Sequence, residues 1–178
     1  MADFIICMGG GAGAAGGFAQ VTDQKSVAFI GDSTFFHSGI PPLISAKFND
    51  HKLVMVIVDN RTTAMTGHQP NPGTGRDFGG ITTEALDIEA VVKGIGVDFL
   101  ATVNPYDVKA SSKVMKEAID TDGVAVVISK MACPLELKKQ RALTIRETHV
   151  DQSKCIKCYT CLKTIACPAL VKRGDEVH

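Results

Sequence analysis

Two short apolar runs, each followed directly by polar residues, constrain the fold more than any other feature of the sequence. They are SVAFIGD at 26–32 and KLVMVIVDN at 52–60, and both are rich in the β-branched residues that favour buried strands. Between them, the segment from about Phe36 to Phe48 predicts a helix that begins late or kinks, because it contains two adjacent prolines. This order predicts a right-handed strand–helix–strand crossover and a parallel sheet with helices on both faces.

The alternation of short strands and helices continues along the chain and indicates an α/β domain over residues 1–132. A strand is expected at residues 4–7 (FIIC), and Asp107 is a candidate N-cap for the last helix. Residues 133–150 are basic and lack apolar periodicity, which predicts a linker, and residues 151–178 form a small cysteine-rich segment. The remaining predicted elements are a helix at 87–97, a strand at 97–103, a helix at 107–119 and a strand at 124–129.

Charge and hydropathy exclude several classes of function. Lys plus Arg and Asp plus Glu both total 19, so no overall field favours nucleic acid or an anionic membrane. No apolar run is long enough to span a bilayer, and the N-terminus lacks the basic and apolar regions of a signal peptide. We therefore expect a cytoplasmic protein that binds neither nucleic acid nor a membrane.

A glycine-rich stretch near the N-terminus, CMGGGAGAAGGFA at 7–19, has the pattern of a nucleotide site. Gly11, Gly13 and Gly16 spell G-x-G-x-x-G, and Asp32 follows at about the separation of a ribose-binding carboxylate. The pattern is typical of a NAD(P)-binding dehydrogenase domain, which is one alternative function. We favour the other interpretation, in which the match to the dinucleotide pattern is a false positive, the glycines allow close backbone packing and Asp32 binds a metal ion.

Asp32 and Asn60 occupy equivalent positions after the two central strands. Ligands of open α/β sheets bind at the carboxyl ends of the strands, and the crossover would bring this carboxylate and this amide to the same edge. Mg²⁺ takes a few protein oxygen ligands and completes its coordination with phosphate oxygens and water. The pair therefore indicates a magnesium–diphosphate clamp, although either residue alone is more often a helix cap or a turn residue.

The segment that follows the second strand, about residues 61–82, is too long and too rich in Gly and Pro for a simple connection, which indicates a binding loop. His37 and His68 both fall in segments expected to face the ligand cleft. They are candidates for a substrate or cofactor role, and the alternative for each is an ordinary surface histidine.

Four of the six cysteines lie in CIKCYTCLKTIACP, spaced C-x₂-C-x₂-C-x₅-C with a proline after the last. In a reducing compartment this clustering indicates a metal site rather than disulfides. Three cysteines on a tight loop are typical of an iron–sulfur cluster, and zinc is the alternative, although zinc sites usually split their cysteines into two pairs. The candidate ligands are Cys155, Cys158, Cys161 and Cys167.

The motifs GDSTFFHSG and DNRTTAMTGHQPNPGTG, in this order and with CMG upstream, resemble the thiamine diphosphate domain of the 2-oxoacid ferredoxin oxidoreductases. The resemblance extends over residues 5 to about 130 and is greatest to the indolepyruvate ferredoxin oxidoreductases, whose large subunit continues into a ferredoxin-like segment. It implies thiamine diphosphate, Mg²⁺ and a 4Fe-4S cluster as cofactors. It assigns Asp32, Asn60 and the carbonyl oxygen of Thr62 to the metal, and Cys7, Met8, Gly9, Gly31, Ser33, Thr34, Thr66 and Gly67 to the cofactor.

The same resemblance implies oxidative decarboxylation of a 2-oxoacid, in particular an arylpyruvate, with acyl transfer to coenzyme A and electrons passing through the cluster to ferredoxin. Such enzymes also use a glutamate from a pyrimidine-binding domain, for which this chain has no room, so that domain and a second subunit are expected partners. A non-catalytic iron–sulfur electron-transfer subunit is a further alternative. Family members carry two cysteine runs where this chain has one, so Cys167 either binds a second cluster elsewhere or loops back to close the same one.

Overall fold

The computed structural model describes residues 3–22, 24–139 and 148–178 of a chain that divides into two compact units, Met1–Gln140 and Arg141–His178. The helices of the first unit are Gly10–Val21 (α1), Asp32–Thr34 (α2), Ile40–Phe48 (α3), Ile88–Ile95 (α4), Val108–Asp120 (α5) and Pro134–Lys139 (α6). Its strands are Ser26–Gly31 (β1), Leu53–Asp59 (β2), Phe99–Val103 (β3) and Val124–Lys130 (β4). A π-helical segment, Phe35–Gly39, joins α2 to α3, and a short 3₁₀ helix spans Ala64–Thr66.

The four strands of the first unit form one parallel sheet in the order β1-β2-β4-β3. The central strands β2 and β4 are almost continuously apolar because both of their faces are covered. Helices α1, α3 and α4 pack on one face of the sheet, and α5 packs on the other. The expected α/β class, a parallel sheet with helices on both faces, is confirmed.

The helix expected between the two central strands is present, and it is continuous with α2 and the π-helical segment, so helical residues extend from Asp32 to Phe48. Pro41 and Pro42 lie in the first turn of α3, directly after the π-helical segment, and neither has a backbone N–H to donate to the turn before it. The preceding residues continue from β1 through α2 and the π-helical segment. The expected cap of α5 is also present, since the Asp107 side chain accepts a hydrogen bond from the N–H of Ala110 at 2.9 Å.

The strand expected at residues 4–7 is absent, and that prediction is wrong. Phe4 and Ile5 are 72% and 91% exposed, and among the described residues β1 pairs only with β2. An extended segment needs a neighbouring strand for its N–H and C=O groups, and this segment has none. The absence of this strand also argues against a dinucleotide-binding motif, which requires a strand and a glycine-rich turn before its helix. Gly11, Gly13 and Gly16 instead lie inside α1.

Gly16 of α1 packs directly against a neighbouring side chain. A Cβ atom there would overlap Nδ1 of His51 and lie 2.9 Å from its Cε1, whereas a Cβ atom on Gly13 would have nothing within 4 Å. His51 is half-buried just before β2. The expected close packing of the glycines therefore holds at Gly16 and fails at Gly13.

Gly16→Ala is expected to lower the free energy of unfolding by about 1–2 kcal/mol, because overpacking against the His51 ring outweighs the better helix propensity of alanine. Gly13→Ala is the matched control in the same helix, and it should raise stability by up to about 1 kcal/mol because its position is open. Urea unfolding followed by circular dichroism measures both changes. Equal stabilisation by the two substitutions would contradict the packing argument.

The second unit contains a short helix, Thr160–Lys163 (α7), and an antiparallel hairpin of Lys172–Arg173 (β5) and Glu176–Val177 (β6). Val171 and His178 exchange two backbone hydrogen bonds, of 2.8 and 2.9 Å, which extend the hairpin by one pair. Nζ of Lys172 lies 4.6 Å from the centroid of the Tyr159 ring, and Val177 is buried. In neither unit do the described residues include a helix with the length and apolar content to cross a membrane.

Candidate functional site

Asp32 lies immediately after β1, as the first residue of α2, and only 4% of its surface is exposed. Its Oδ1 accepts a hydrogen bond from the N–H of Ser33 at 2.8 Å, and its Oδ2 accepts one from Nδ2 of Asn71 at 3.2 Å. Asn71 is itself buried, and its Oδ1 accepts a hydrogen bond from the N–H of Gly73 at 2.9 Å. The loop that follows β2 therefore holds the Asp32 carboxylate in a fixed orientation.

Asn60 and Thr62 lie at the corresponding end of β2. Asn60 Oδ1 accepts a hydrogen bond from the N–H of Thr62 at 3.1 Å, and Thr62 is 5% exposed. The sheet register pairs Gly31 with Val58, so β1 and β2 end side by side. No atom lies within 4 Å of the position that a Cβ on Gly31 would take, which leaves the backbone there open to a ligand. The fold thus brings Asp32, Asn60 and Thr62 to one edge of the sheet.

A second carboxylate, Asp59, lies at this edge and is 2% exposed. Burial raises the pKa of Asp32 above its ordinary value, hydrogen bonds from Ser33 and Asn71 oppose that rise, and the neighbouring Asp59 carboxyl adds to it. Nη1 of Arg61 lies 3.4 Å from Oδ2 of Asp59. Two acidic groups and the amide oxygen of Asn60 make this edge a set of hard oxygen donors, which suits a divalent cation such as Mg²⁺.

Sequence reasoning missed Asp59 and Asn71. Asp59 could have been predicted from the sequence, because it is an acidic residue at the end of an apolar segment that is typical of a buried strand. Asn71 could not, since it is separated from Asp32 by 39 residues and lies within a long loop.

The segment Cys7–Met8–Gly9 lies beside the helical residues that follow β1. Gly9 has a positive φ of 83°, and a Cβ there would overlap Oγ of Ser38 and lie 3.7 Å from Cγ2 of Thr34. Cys7 and Met8 are exposed. The chain is therefore in close contact with the π-helical segment at Gly9, and π-helical turns are frequent at functional sites.

The two candidate histidines have different surroundings. Nδ1 of His68 lies 4.0 Å from Oε2 of Glu136, and both side chains are largely buried. His37 is exposed within the π-helical segment. Thr66 and Gly67, at the exposed tip of the loop before His68, form a tight turn in which Gly67 has a φ of 114°. Among the described residues, only His68 of the two histidines faces a carboxylate.

The four C-terminal cysteines are free, and Cys158 is exposed. Hydrogen bonds from the hydroxyl and the backbone of Thr160 lower the pKa of the Cys158 thiol, which favours the thiolate. The N–H of Cys167 donates to the carbonyl of Cys161 at 3.2 Å, so the longer gap folds back on the third cysteine. Within the described ranges, no three His, Cys, Asp or Glu side chains converge as they would around a metal ion. The main chain of Cys167 therefore returns to Cys161, but the thiols of the four cysteines do not converge on one point.

Comparison with known proteins gives a family and a set of longer relatives. Residues 1–129 match the family described as thiamine pyrophosphate enzyme, C-terminal TPP binding domain. The indolepyruvate oxidoreductase subunit IorA of Methanothermobacter thermautotrophicus is 47% identical over 99% of this chain, and that of Archaeoglobus fulgidus is 46% identical over 98%. This chain spans 28% of the length of each of these relatives.

Among solved structures, a 2-oxoglutarate:ferredoxin oxidoreductase from Magnetococcus marinus aligns with a TM-score of 0.64 at 18% identity, over 80% of this chain and 54% of that one. This likeness concerns the fold. The family match covers β1, β2, β3 and all but the last residue of β4, together with the polar edge at the ends of β1 and β2. The chain belongs to the thiamine pyrophosphate enzymes, as their C-terminal domain that binds thiamine pyrophosphate (thiamine diphosphate).

Proposed function

We propose that this chain supplies the metal- and diphosphate-binding part of an indolepyruvate-type 2-oxoacid ferredoxin oxidoreductase. The observation that carries the proposal is the 47% identity, over almost the entire chain, to a subunit named indolepyruvate oxidoreductase. The buried oxygen donors at the ends of β1 and β2 support it independently, because a diphosphate needs a cation and that edge provides its ligands.

Asp32, Asn60 and Thr62 form the proposed metal clamp. Asp32 and Asn60 would bind Mg²⁺ through their side chains, and Thr62 would bind through its carbonyl oxygen. Asn71 orients the Asp32 carboxylate, and Asp59 adds negative charge beside it. These residues fit a magnesium ion because they are hard oxygen donors, of which Asp32 and Thr62 are buried, and a cation there would stabilise the ionised form of Asp32.

The diphosphate would lie against Gly31, Ser33 and Thr34, beside the clamp. The backbone at Gly31 is open, and Ser33 lies in the first turn after β1. Further residues proposed to line the cofactor are Cys7, Met8, Gly9, Thr66 and Gly67. When bound, thiamine diphosphate supplies the nucleophilic carbon and the electron sink for decarboxylation. His68, whose Nδ1 lies 4.0 Å from Oε2 of Glu136, is proposed to exchange a proton with the reactants, and His37 is a second candidate.

The C-terminal cysteines are proposed to hold a 4Fe-4S cluster, which would supply one-electron transfer toward ferredoxin. Cys155, Cys158 and Cys161 have the close spacing that one cluster requires. The lowered pKa of Cys158 favours the ligating thiolate form. The hydrogen bond from the N–H of Cys167 to the carbonyl of Cys161 supports Cys167 as the fourth ligand of this cluster.

The complete enzyme is proposed to need a pyrimidine-binding domain, a second subunit, coenzyme A and ferredoxin. We expect the purified native complex to reduce methyl viologen, a substitute for ferredoxin, only when a 2-oxoacid and coenzyme A are both present. Indolepyruvate and phenylpyruvate should be the best substrates. The 178-residue chain alone should show no turnover, because the glutamate that activates the cofactor lies elsewhere.

Cofactor extraction from the same complex is the control for this experiment. It should release thiamine diphosphate and no NAD(P). Reduction of NAD(P)⁺ would support the dehydrogenase alternative. Iron without thiamine diphosphate would support the electron-transfer alternative, and turnover by the isolated chain would contradict the need for partners.

A further inference from the structure

A cavity of about 450 Å³ lies next to the metal clamp, between the loop after β2 and the segment that begins α6. Asn60, Thr62 and Cys133 are among the residues that line it. The N–H of Cys133 donates to the carbonyl of Asn60 at 2.9 Å, which ties the start of α6 to the clamp. A ligand in this cavity, here called the β2–α6 cavity, would therefore lie beside the proposed cofactor.

The rim of the β2–α6 cavity carries cations that the described residues do not neutralise. Arg76 and Lys139 line it, are exposed, and have no ion pair within the described part of the chain. Arg61 also lines the cavity, but it is already engaged by Asp59. An anionic ligand would therefore meet two available positive charges at the entrance.

The acidic residues of the same lining are used by the protein itself. Asp77 Oδ1 accepts a hydrogen bond from the N–H of Ile81 at 2.8 Å. Glu136 faces His68 at 4.0 Å. The lining nevertheless carries three basic side chains, Arg61, Arg76 and Lys139, against these two carboxylates.

The rim also presents an aromatic surface. The Phe78 side chain lines the cavity and is 86% exposed, and Leu137 adds an apolar wall from α6. An exposed aromatic ring beside guanidinium and ammonium groups suits a planar ring that carries an anionic group, because the two ends of such a ligand are recognised separately.

We propose that the β2–α6 cavity binds a reactant with an anionic group attached to an aromatic system, with the anion on Arg76 and Lys139 and the ring on Phe78. The proposal rests on the proposed function, in which two reactants have this chemistry. An arylpyruvate carries a carboxylate and an aryl ring, and coenzyme A carries phosphates and an adenine.

Isothermal titration of the full chain with phenylpyruvate and, separately, with coenzyme A tests this site without using enzyme activity. Arg76→Gln is expected to weaken binding of one probe by roughly tenfold or more, since hydrogen bonds to charged groups are strong. Lys139→Gln and Phe78→Ala should weaken the same probe. Arg173→Gln, an exposed arginine in the second unit, is the matched control and should leave binding unchanged.

The titrations with the two probes distinguish between the two candidate ligands. Loss of phenylpyruvate binding alone assigns the cavity to the substrate carboxylate, and loss of coenzyme A binding alone assigns it to the phosphates. No binding of either probe to the unmodified chain, or equal loss in Arg173→Gln, overturns the proposal. If the native complex fails the methyl viologen assay while Arg76→Gln still loses binding, the proposed function falls and the cavity site stands.

Discussion

Asp32→Asn is expected to abolish Mg²⁺-dependent binding of thiamine diphosphate while the apo chain still folds. The substitution keeps the shape of the side chain, which is 4% exposed and held by Ser33 and Asn71. It removes a carboxylate whose pKa is raised by burial and by Asp59, so its ionised form is costly in the absence of a cation. Without that charge, the proposed clamp loses its strongest oxygen ligand.

Thermal unfolding with and without ligand measures this effect. For the unmodified chain, ligand at about 100 times its dissociation constant should add about 2.7 kcal/mol, or roughly 5–10 °C in Tm. Asp32→Asn should remove this shift entirely. Asp120→Asn, at the exposed end of α5, is the matched control and should retain it. A full ligand shift in Asp32→Asn would remove Asp32 from the metal site.

Cys161→Ser is expected to prevent assembly of the 4Fe-4S cluster. Cys161 is the third cysteine of the closely spaced set, and it is also the residue whose carbonyl receives the N–H of Cys167. Anaerobic reconstitution should load about four iron atoms into each unmodified chain and almost none into Cys161→Ser. Cys133→Ser, in the first unit, is the matched control and should load iron normally. Zinc in place of iron would overturn the electron-transfer proposal.

Cys167→Ser separates the two assignments of the fourth ligand. The backbone hydrogen bond to Cys161 favours local closure, so we expect loss of the cluster or its conversion to a 3Fe-4S form, measured by EPR. An unchanged 4Fe-4S signal would instead assign Cys167 to another cluster or leave it without a metal role.

The elements predicted correctly have their signal inside a short segment. The continuous apolar runs of β2 and β4 indicate strands that are buried on both faces. Asp107 indicates the start of α5, because an aspartate is a favourable N-cap residue wherever the helix packs. The ends of β1 and β2 could also be paired from the sequence, because a right-handed crossover between parallel neighbours leaves few arrangements. This reasoning places Asp32 and Asn60 at the same edge of the sheet, as the register of β1 and β2 has them.

The predictions that failed depended on partners distant in the chain. The apolar residues 4–7 would need a neighbouring strand, and no described strand pairs with them. Gly13 and Gly16 look alike in the sequence, yet only Gly16 meets His51. In both cases the local sequence indicated that the segment could be buried or closely packed, but it did not indicate which distant group would contact it.

The sequence by itself determined the class of the fold, the strand ends that carry the polar residues, and the spacing of the cysteines, because each of these is a local pattern. Only the tertiary structure decided that Asn71 donates to Asp32, that Asp59 lies beside it, and that Glu136 faces His68. These contacts depend on the path of a long loop and on where α6 packs, and that path is set by packing and hydrogen bonding between segments distant in the chain.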